Sequence, residues 1–285
     1  MKLRSYETVR LSTAKPKIDG VLDDNCWSTG TWAGDFIQWI PKEGAKPSQP
    51  TVFKILYDDE NIYVAIRNYD SEPEKIQRKA GRRDELTGDM AGICFDSYHD
   101  RRTGFEFDMT AAGQKLDLIL TNPMEADFNW NAVWYGKVGM EDSAWTIEME
   151  IPLSQLRYSN EHEQVWGMHV WRWIDRYQEE SDWEPQTITG PGMLYLFGEL
   201  KGISGLKKSQ RIELMPYASG KLKTFKKEPE NPFANKGYNK LGNLGLDAKI
   251  GIGSNFTVDL SMNPDFGQVE SDPSVMNLTA FETFL

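Results

Sequence analysis

Apolar and polar residues alternate with a period of two along most of this chain, and long helical stripes are nearly absent. Phe53, Ile55 and Tyr57 share one face of a predicted strand. A turn at Asp58-Asp59-Glu60-Asn61 leads into a second strand with Ile62, Val64 and Ile66 on one side, so the pair reads as a β-hairpin. A charged stretch follows over residues 71–83, where Pro73 is well placed to open a short helix. Further strands are predicted at 91–96 and at Phe105, Phe107 and Met109, which oppose Glu106, Asp108 and Thr110. The pattern returns at Trp145, Ile147, Met149 and Ile151, ends at Pro152, and leaves 153–156 for one helical turn. Residues 165–174 are apolar on both sides, as expected of a central strand covered on both faces. Many short strands separated by turns predict an all-β fold: a jelly-roll-like antiparallel β-sandwich of two sheets over residues 1–205.

The character changes over residues 206–285. Leu244, Leu246, Ala248, Ile250 and Ile252 alternate with small or polar residues, and so do Phe256, Val258, Leu260 and Met262. Each run is roughly nine residues, about the length of a tilted strand that crosses a bilayer. With 211–221 these runs predict a few amphipathic strands, joined by a Lys-, Pro- and Asn-rich loop over 223–240. Two readings stand: an amphipathic hairpin packed on a soluble core, or the opening of a membrane barrel. Closing a barrel takes roughly eight strands, so in the second case the chain is a fragment.

Composition narrows the chemistry. A net charge of −11 argues against a nucleic-acid partner, which requires a basic patch. Ten Trp suggest aromatic packing, a stacking surface, or both. Cys26 and Cys94 both read as small buried residues and set no compartment. No apolar run is long enough for a transmembrane helix, and the first twenty residues lack a signal-peptide core. Read alone, that start points to a cytoplasmic protein or to a mature or trimmed form. Catalytic signatures are missing: His99, His162 and His169 are scattered, and there is no G-x-S-x-G elbow or P-loop. Asp84 with Asp89, or Glu179 with Glu180, are nominal carboxylate pairs for glycoside hydrolysis, of the kind any acidic sequence offers.

IDGVLDDNCW (18–27) resembles the opening of family 9 carbohydrate-binding modules, roughly I-D-G-x-x-D-x-x-W. The hairpin at 52–70 continues the likeness, as do DMAGICFDSYHDRRTGFEFDMTAAG (89–113), WTIEMEIPLSQL (145–156), VWGMHVWRW (165–173) and FGEL (197–200). The tail NPDFGQVESDPSVMNLTAFETFL (263–285) resembles the segment that follows this module, ahead of a membrane barrel, in Bacteroidetes-type outer-membrane proteins. The resemblance implies an exported protein of the periplasm or outer membrane, joined to the membrane through a C-terminal barrel. It also implies a non-catalytic module that takes a saccharide or glycan end, in polysaccharide capture or catabolism.

In that family two Trp rings sandwich the sugar. Trp183, in Ser181-Asp182-Trp183-Glu184-Pro185, matches the late one, whereas Leu86 stands where the early one would be. The family's arginine on the following strand falls near Asp108, which reverses the charge. The expected ligand site is therefore Trp183 with Arg83, Asp84, Asp89, Arg172 and Glu179 at one end of the sandwich, and the alternative for the charged groups is a rim ion-pair network. Trp130 and Trp134, four apart in a polar loop, are further candidates or rim packing. Trp171 and Trp173 share a sheet face with His169, and one of them can border a cleft. No cofactor is required. Structural calcium is left open by the resemblance, with Asp58-Asp59-Glu60 and Asp96 with Asp100 as oxygen donors. A ligand-free domain that caps or docks onto its own barrel, and a glycoside hydrolase, are the competing functions.

Overall fold

The computed structural model describes residues 3–81, 87–121, 125–190, 192–206, 212–227, 229–230, 236–252 and 256–263. The chain divides into two compact units, Met1–Ser209 and Gln210–Leu285. The first contains β1 (Ser5–Glu7), β2 (Val9–Arg10), β3 (Ile37–Ile40), β4 (Thr51–Tyr57), β5 (Asn61–Tyr69), β6 (Met90–Asp96) and β7 (Thr103–Thr110). It continues with β8 (Lys115–Thr121), β9 (Glu125–Asp127), β10 (Tyr135–Glu141), β11 (Ala144–Pro152), β12 (Glu163–Ile174), β13 (Glu179–Asp182) and β14 (Gly198–Ser204).

Nine of these strands form one sheet, in the order β1-β14-β12-β6-β7-β8-β9, with β13 paired to β12 and β3 paired to β13. The other five form the facing sheet, β10-β11-β5-β4-β2. The predicted hairpin is β4–β5, with Phe53 opposite Ile66 and Tyr57 opposite Ile62. Short 3₁₀ turns begin at Pro73 and follow Pro152, as the sequence pattern predicts. The pairs β1–β14 and β2–β4 are parallel, against the antiparallel expectation. Two short edge strands near the N-terminus carry no alternation long enough to announce them.

The core lies between the sheets, where Phe53, Ile55, Val64, Ile66 and Met149 meet Ile93, Phe107, Trp166 and Val170. At roughly 25 cal/mol per Å², complete burial of each such side chain contributes about 1.5–3 kcal/mol. Cys26 and Cys94 are unpaired and sit in separate apolar clusters.

The IDG…W signature has a structural purpose. Glu148 on β11 is fully buried and accepts from the backbone N–H of Asp19 (3.0 Å) and Gly20 (3.1 Å) and from Trp27 Nε1 (2.9 Å). Gly20 has φ +88°, and a Cβ there would stand 2.6 Å from the Gly139 nitrogen, so only glycine fits. One buried carboxylate thus ties the N-terminal segment to the smaller sheet. The oxygens proposed for calcium also serve their own turns. Asp58 accepts from the backbone of Glu60 and Asn61 and from the Tyr63 hydroxyl; Asp96 accepts from the backbone of Asp100 and Arg101.

The second unit contains β15 (Ile212–Thr224), β16 (Tyr238–Ile252) and β17 (Phe256–Met262), an antiparallel three-stranded sheet. The first two strands run past the expected length, because pairing continues through Lys221–Leu241 and Lys223–Asn239 and shortens the predicted loop. Register places Ile212, Leu214 and Ala218 in line with Ile250, Ala248 and Leu244, and Val258, Leu260 and Met262 on the same face. Leu214, Leu244 and Met262 are exposed. The tail motif over 264–285 lies outside the described residues.

Candidate functional site

Neighbouring residues of a strand point to opposite faces of its sheet, and β12 divides its side chains accordingly. Trp166, Met168, Val170 and Arg172 point between the sheets, whereas His169, Trp171 and Trp173 point outward. The same parity applies to β13. Arg172 faces Ser181 and Ile174 faces Glu179, so Glu179, Ser181 and the following Trp183 lie on the inner side, and Glu180 and Asp182 on the outer.

This parity corrects the expected site. Trp183 is not an exposed ring but a core residue, 4% exposed, set edge-on to Phe53 with centroids 5.4 Å apart. Arg172 is fully buried and donates to Pro50 O (3.0 Å), Tyr69 O (2.9 Å) and Thr51 Oγ1 (3.2 Å). Burial draws its pKa down to about 10, with Asp89 and Asp70 opposing the shift. Asp70 also takes two bonds from Arg176, at 2.8 and 2.7 Å. Asp89 is buried and accepts from the Asp175 N–H, and Glu179 accepts from the Ser48 N–H. These charged residues tie loops together at the end of the core, so of the two roles considered for them the structure selects the network. Arg83 and Asp84 lie outside the described residues.

The loop tryptophans are packed as well. Trp134 is buried, donates its indole N–H to Asp117 (3.2 Å) and has the Lys115 ammonium 4.6 Å from its ring centre. It borders a surface groove of about 730 Å³ with Tyr135 and Lys137, but as a wall rather than a free ring. Trp130 is half-buried against Phe105 and Phe107, at 5.4 and 5.6 Å.

The outward face of the large sheet is where aromatic and polar groups converge without being spent on packing. Three rows cross it: Asp182, Trp171, Gly92 and Asp108; Glu180, Trp173, Met90 and Thr110; and His169, Cys94 and Glu106. One end is covered by the 3₁₀ turn Met193–Leu196 and by Phe197, which stacks on His169 at 5.2 Å and packs with Leu194 against Cys94. Elsewhere Trp171 and Trp173 are half-buried. Trp171 Nε1 donates to Glu106 Oε1 at 2.9 Å. His169 Nε2 stands 3.1 Å from Asp182 Oδ1, although neither atom finds an aligned hydrogen bond.

Gly92 opens the middle of this face. A Cβ at that position would come within 1.6 Å of Asp108 Oδ1, so the carboxylate lies in the space a side chain would fill. Asp108 is 1% exposed, and neither of its oxygens has a hydrogen-bond partner among the described residues. Trp39 on β3, the extra residue where β3 and β13 shift register, also has a buried N–H without a partner. Burial raises the pKa of Glu106, and burial with the neighbouring Glu106 charge raises that of Asp108 well above the usual carboxylate range. Burial, then Asp182 and Glu106, lifts Glu180 to about 8, and burial raises Asp182. Among the described residues, the orphaned carboxylate oxygens of Asp108 and Asp182 lie in the row that carries the half-exposed Trp171. Among the described residues, no three His, Cys, Asp or Glu side chains are disposed to hold a metal ion.

The model of the carbohydrate family 9 binding domain-like family matches residues 18–182, and that of a domain of unknown function, DUF5916, matches residues 208–285. No curated protein matches the chain. A family 9 carbohydrate-binding module from Caldicellulosiruptor kristjanssonii, solved with cellotriose, superimposes with a TM-score of 0.53 at 18% identity, over 72% of this chain and 96% of its own. A structure of such a module from the same organism, with glucose, gives 0.51 at 18% identity, over 71% and 100%. A protein of Bacteroides uniformis ATCC 8492 gives 0.56 at 12% identity, over 70% and 99%. At these identities the likeness is one of fold.

Proposed function

Because the chain belongs to the carbohydrate family 9 binding domain-like family, we propose that it is a binding module that holds a saccharide on the outward face of its larger sheet. Trp171 and Trp173 supply flat apolar surface for the C–H face of a pyranose, and Glu106, Asp108, Glu180 and Asp182 accept from its hydroxyls. The observation that carries this reading is Asp108, buried in the row of Trp171 and Gly92, with two oxygens that have no hydrogen-bond partner among the described residues.

Calorimetry with cellotriose and other short oligosaccharides tests the proposal. Trp171→Ala should weaken binding by tenfold or more, on the scale of a central aromatic contact, while the melting temperature changes little. Unchanged affinity in Trp171→Ala and in Trp173→Ala would remove this face from consideration.

For the second unit, we propose the opening strands of a membrane barrel in an exported protein. The exposed apolar face of β15–β17, opposite a face bearing Asp247, Lys249 and Asp259, supports that reading. It predicts that the full-length protein fractionates with outer membranes.

A further inference from the structure

The outward face is acidic beyond what recognition of a neutral sugar requires. Glu106 and Asp108 reach it from β7, Glu180 and Asp182 from β13, and Glu184 follows directly. The basic group that acts on Glu106 and Asp182 is His169, which is buried and stacked on Phe197. Arg4 donates its backbone N–H to Glu184 at 2.7 Å, while its guanidinium donates to the Asp35 and Trp183 carbonyls. Asp108 and Asp182 are at most 1% exposed, and among the described residues none of their four carboxylate oxygens has an aligned hydrogen-bond partner, although His169 Nε2 stands 3.1 Å from Asp182 Oδ1. His169 Nδ1 is likewise buried and unpartnered.

A buried carboxylate without a partner is resolved either by a proton or by a cation. A bare metal ion is poorly served, since no three potential ligands converge among the described residues. An organic ammonium fits better. It needs acceptors spread around three N–H bonds rather than a tight coordination sphere, and it gains from an aromatic face nearby. Trp171 sits between Asp182 and Gly92 in the row that ends at Asp108, so a ring on that indole brings its substituents to carboxylates on either side.

We propose that the saccharide taken by this face carries a free amine, an amino sugar whose ammonium group sits against Asp108. This rests on the saccharide-binding reading above and adds the class of sugar. The preference is electrostatic. Burial and the neighbouring Glu106 make Asp108 easy to protonate, and an ammonium can take the place of that proton, donating a hydrogen bond and compensating the charge, which a hydroxyl cannot do.

Calorimetry on the full 285-residue chain at pH 6.5 compares three probes: a glucosamine trimer, its N-acetylated counterpart and cellotriose. The free-amine trimer should bind at least tenfold more tightly than the other two. Asp108→Asn, which keeps the shape and removes the charge, should abolish that preference. Cellotriose binding as tightly as the amine trimer would overturn the amine assignment and leave saccharide binding standing. No binding by any probe would overturn the saccharide reading itself. An amine preference unchanged in Asp108→Asn marks attraction to the acidic surface at large and also overturns the assignment. Should that variant fail to fold, Glu106→Gln provides the same comparison from the neighbouring carboxylate.

Discussion

Replacing Arg172 with methionine should destabilise the sandwich by about 3–5 kcal/mol, the usual effect of removing one partner from a buried charge network. The guanidinium is fully buried and gathers the Pro50 and Tyr69 carbonyls and the Thr51 hydroxyl, with Asp70 3.8 Å away. Methionine fills much of the volume but leaves those acceptors dry and Asp70 with Arg176 alone. Small domains have about 5–15 kcal/mol in all, so a large part of the population should unfold under mild denaturant. Urea unfolding of the two proteins side by side is the check. A midpoint unchanged by the substitution would mean that the network is not structural and would reopen Arg172 as a ligand residue.

Glu148→Ala should produce a loss of similar size, by a different route. The carboxylate is the single acceptor for two backbone N–H groups and one indole N–H, and all three lose it together. Bonds to a charged acceptor contribute about 1.5–3 kcal/mol each, though not additively. The expected total is about 3–5 kcal/mol, with Glu148→Gln recovering part of it. Thermal unfolding followed by tryptophan fluorescence would report the change. A Glu148→Ala protein that melts like the wild type would show that the N-terminal segment is held by packing on Leu56, Tyr63 and Ala65 instead.

Much of the fold is legible in the sequence because burial on one face of a strand writes itself as alternation. Phe53, Ile55 and Tyr57, or Phe105, Phe107 and Met109, announce both the strand and its inner side. The candidate site is less legible because it turns on parity at the end of β12, where both faces are rich in large side chains. The run Val170-Trp171-Arg172-Trp173 reads as apolar throughout, and nothing local says which members face the partner sheet. A one-residue slip exchanges the faces completely. Trp183 and Arg172 belong to the inner set, whereas Asp182, Trp171 and Trp173 one position away form the outer one. The useful signal was present in β7: Glu106 and Asp108 alternate with core aromatics, and the resemblance places a ligand-reading residue near Asp108. The roles of Trp130 and Trp134 depended on contacts across strands, with Phe105, Phe107 and Asp117, which local spacing does not encode.

The account rests on the outward face of β12 meeting the ligand while its inward face holds the core. Indole ¹⁵N–¹H resonances, assigned with single Trp→Phe variants and followed through an oligosaccharide titration, report this directly. The Trp171 and Trp173 signals should shift and saturate with ligand, while those of Trp183, Trp134 and Trp166 stay where they are. Shifts confined to Trp183 or Trp134, with Trp171 and Trp173 unmoved, would contradict it.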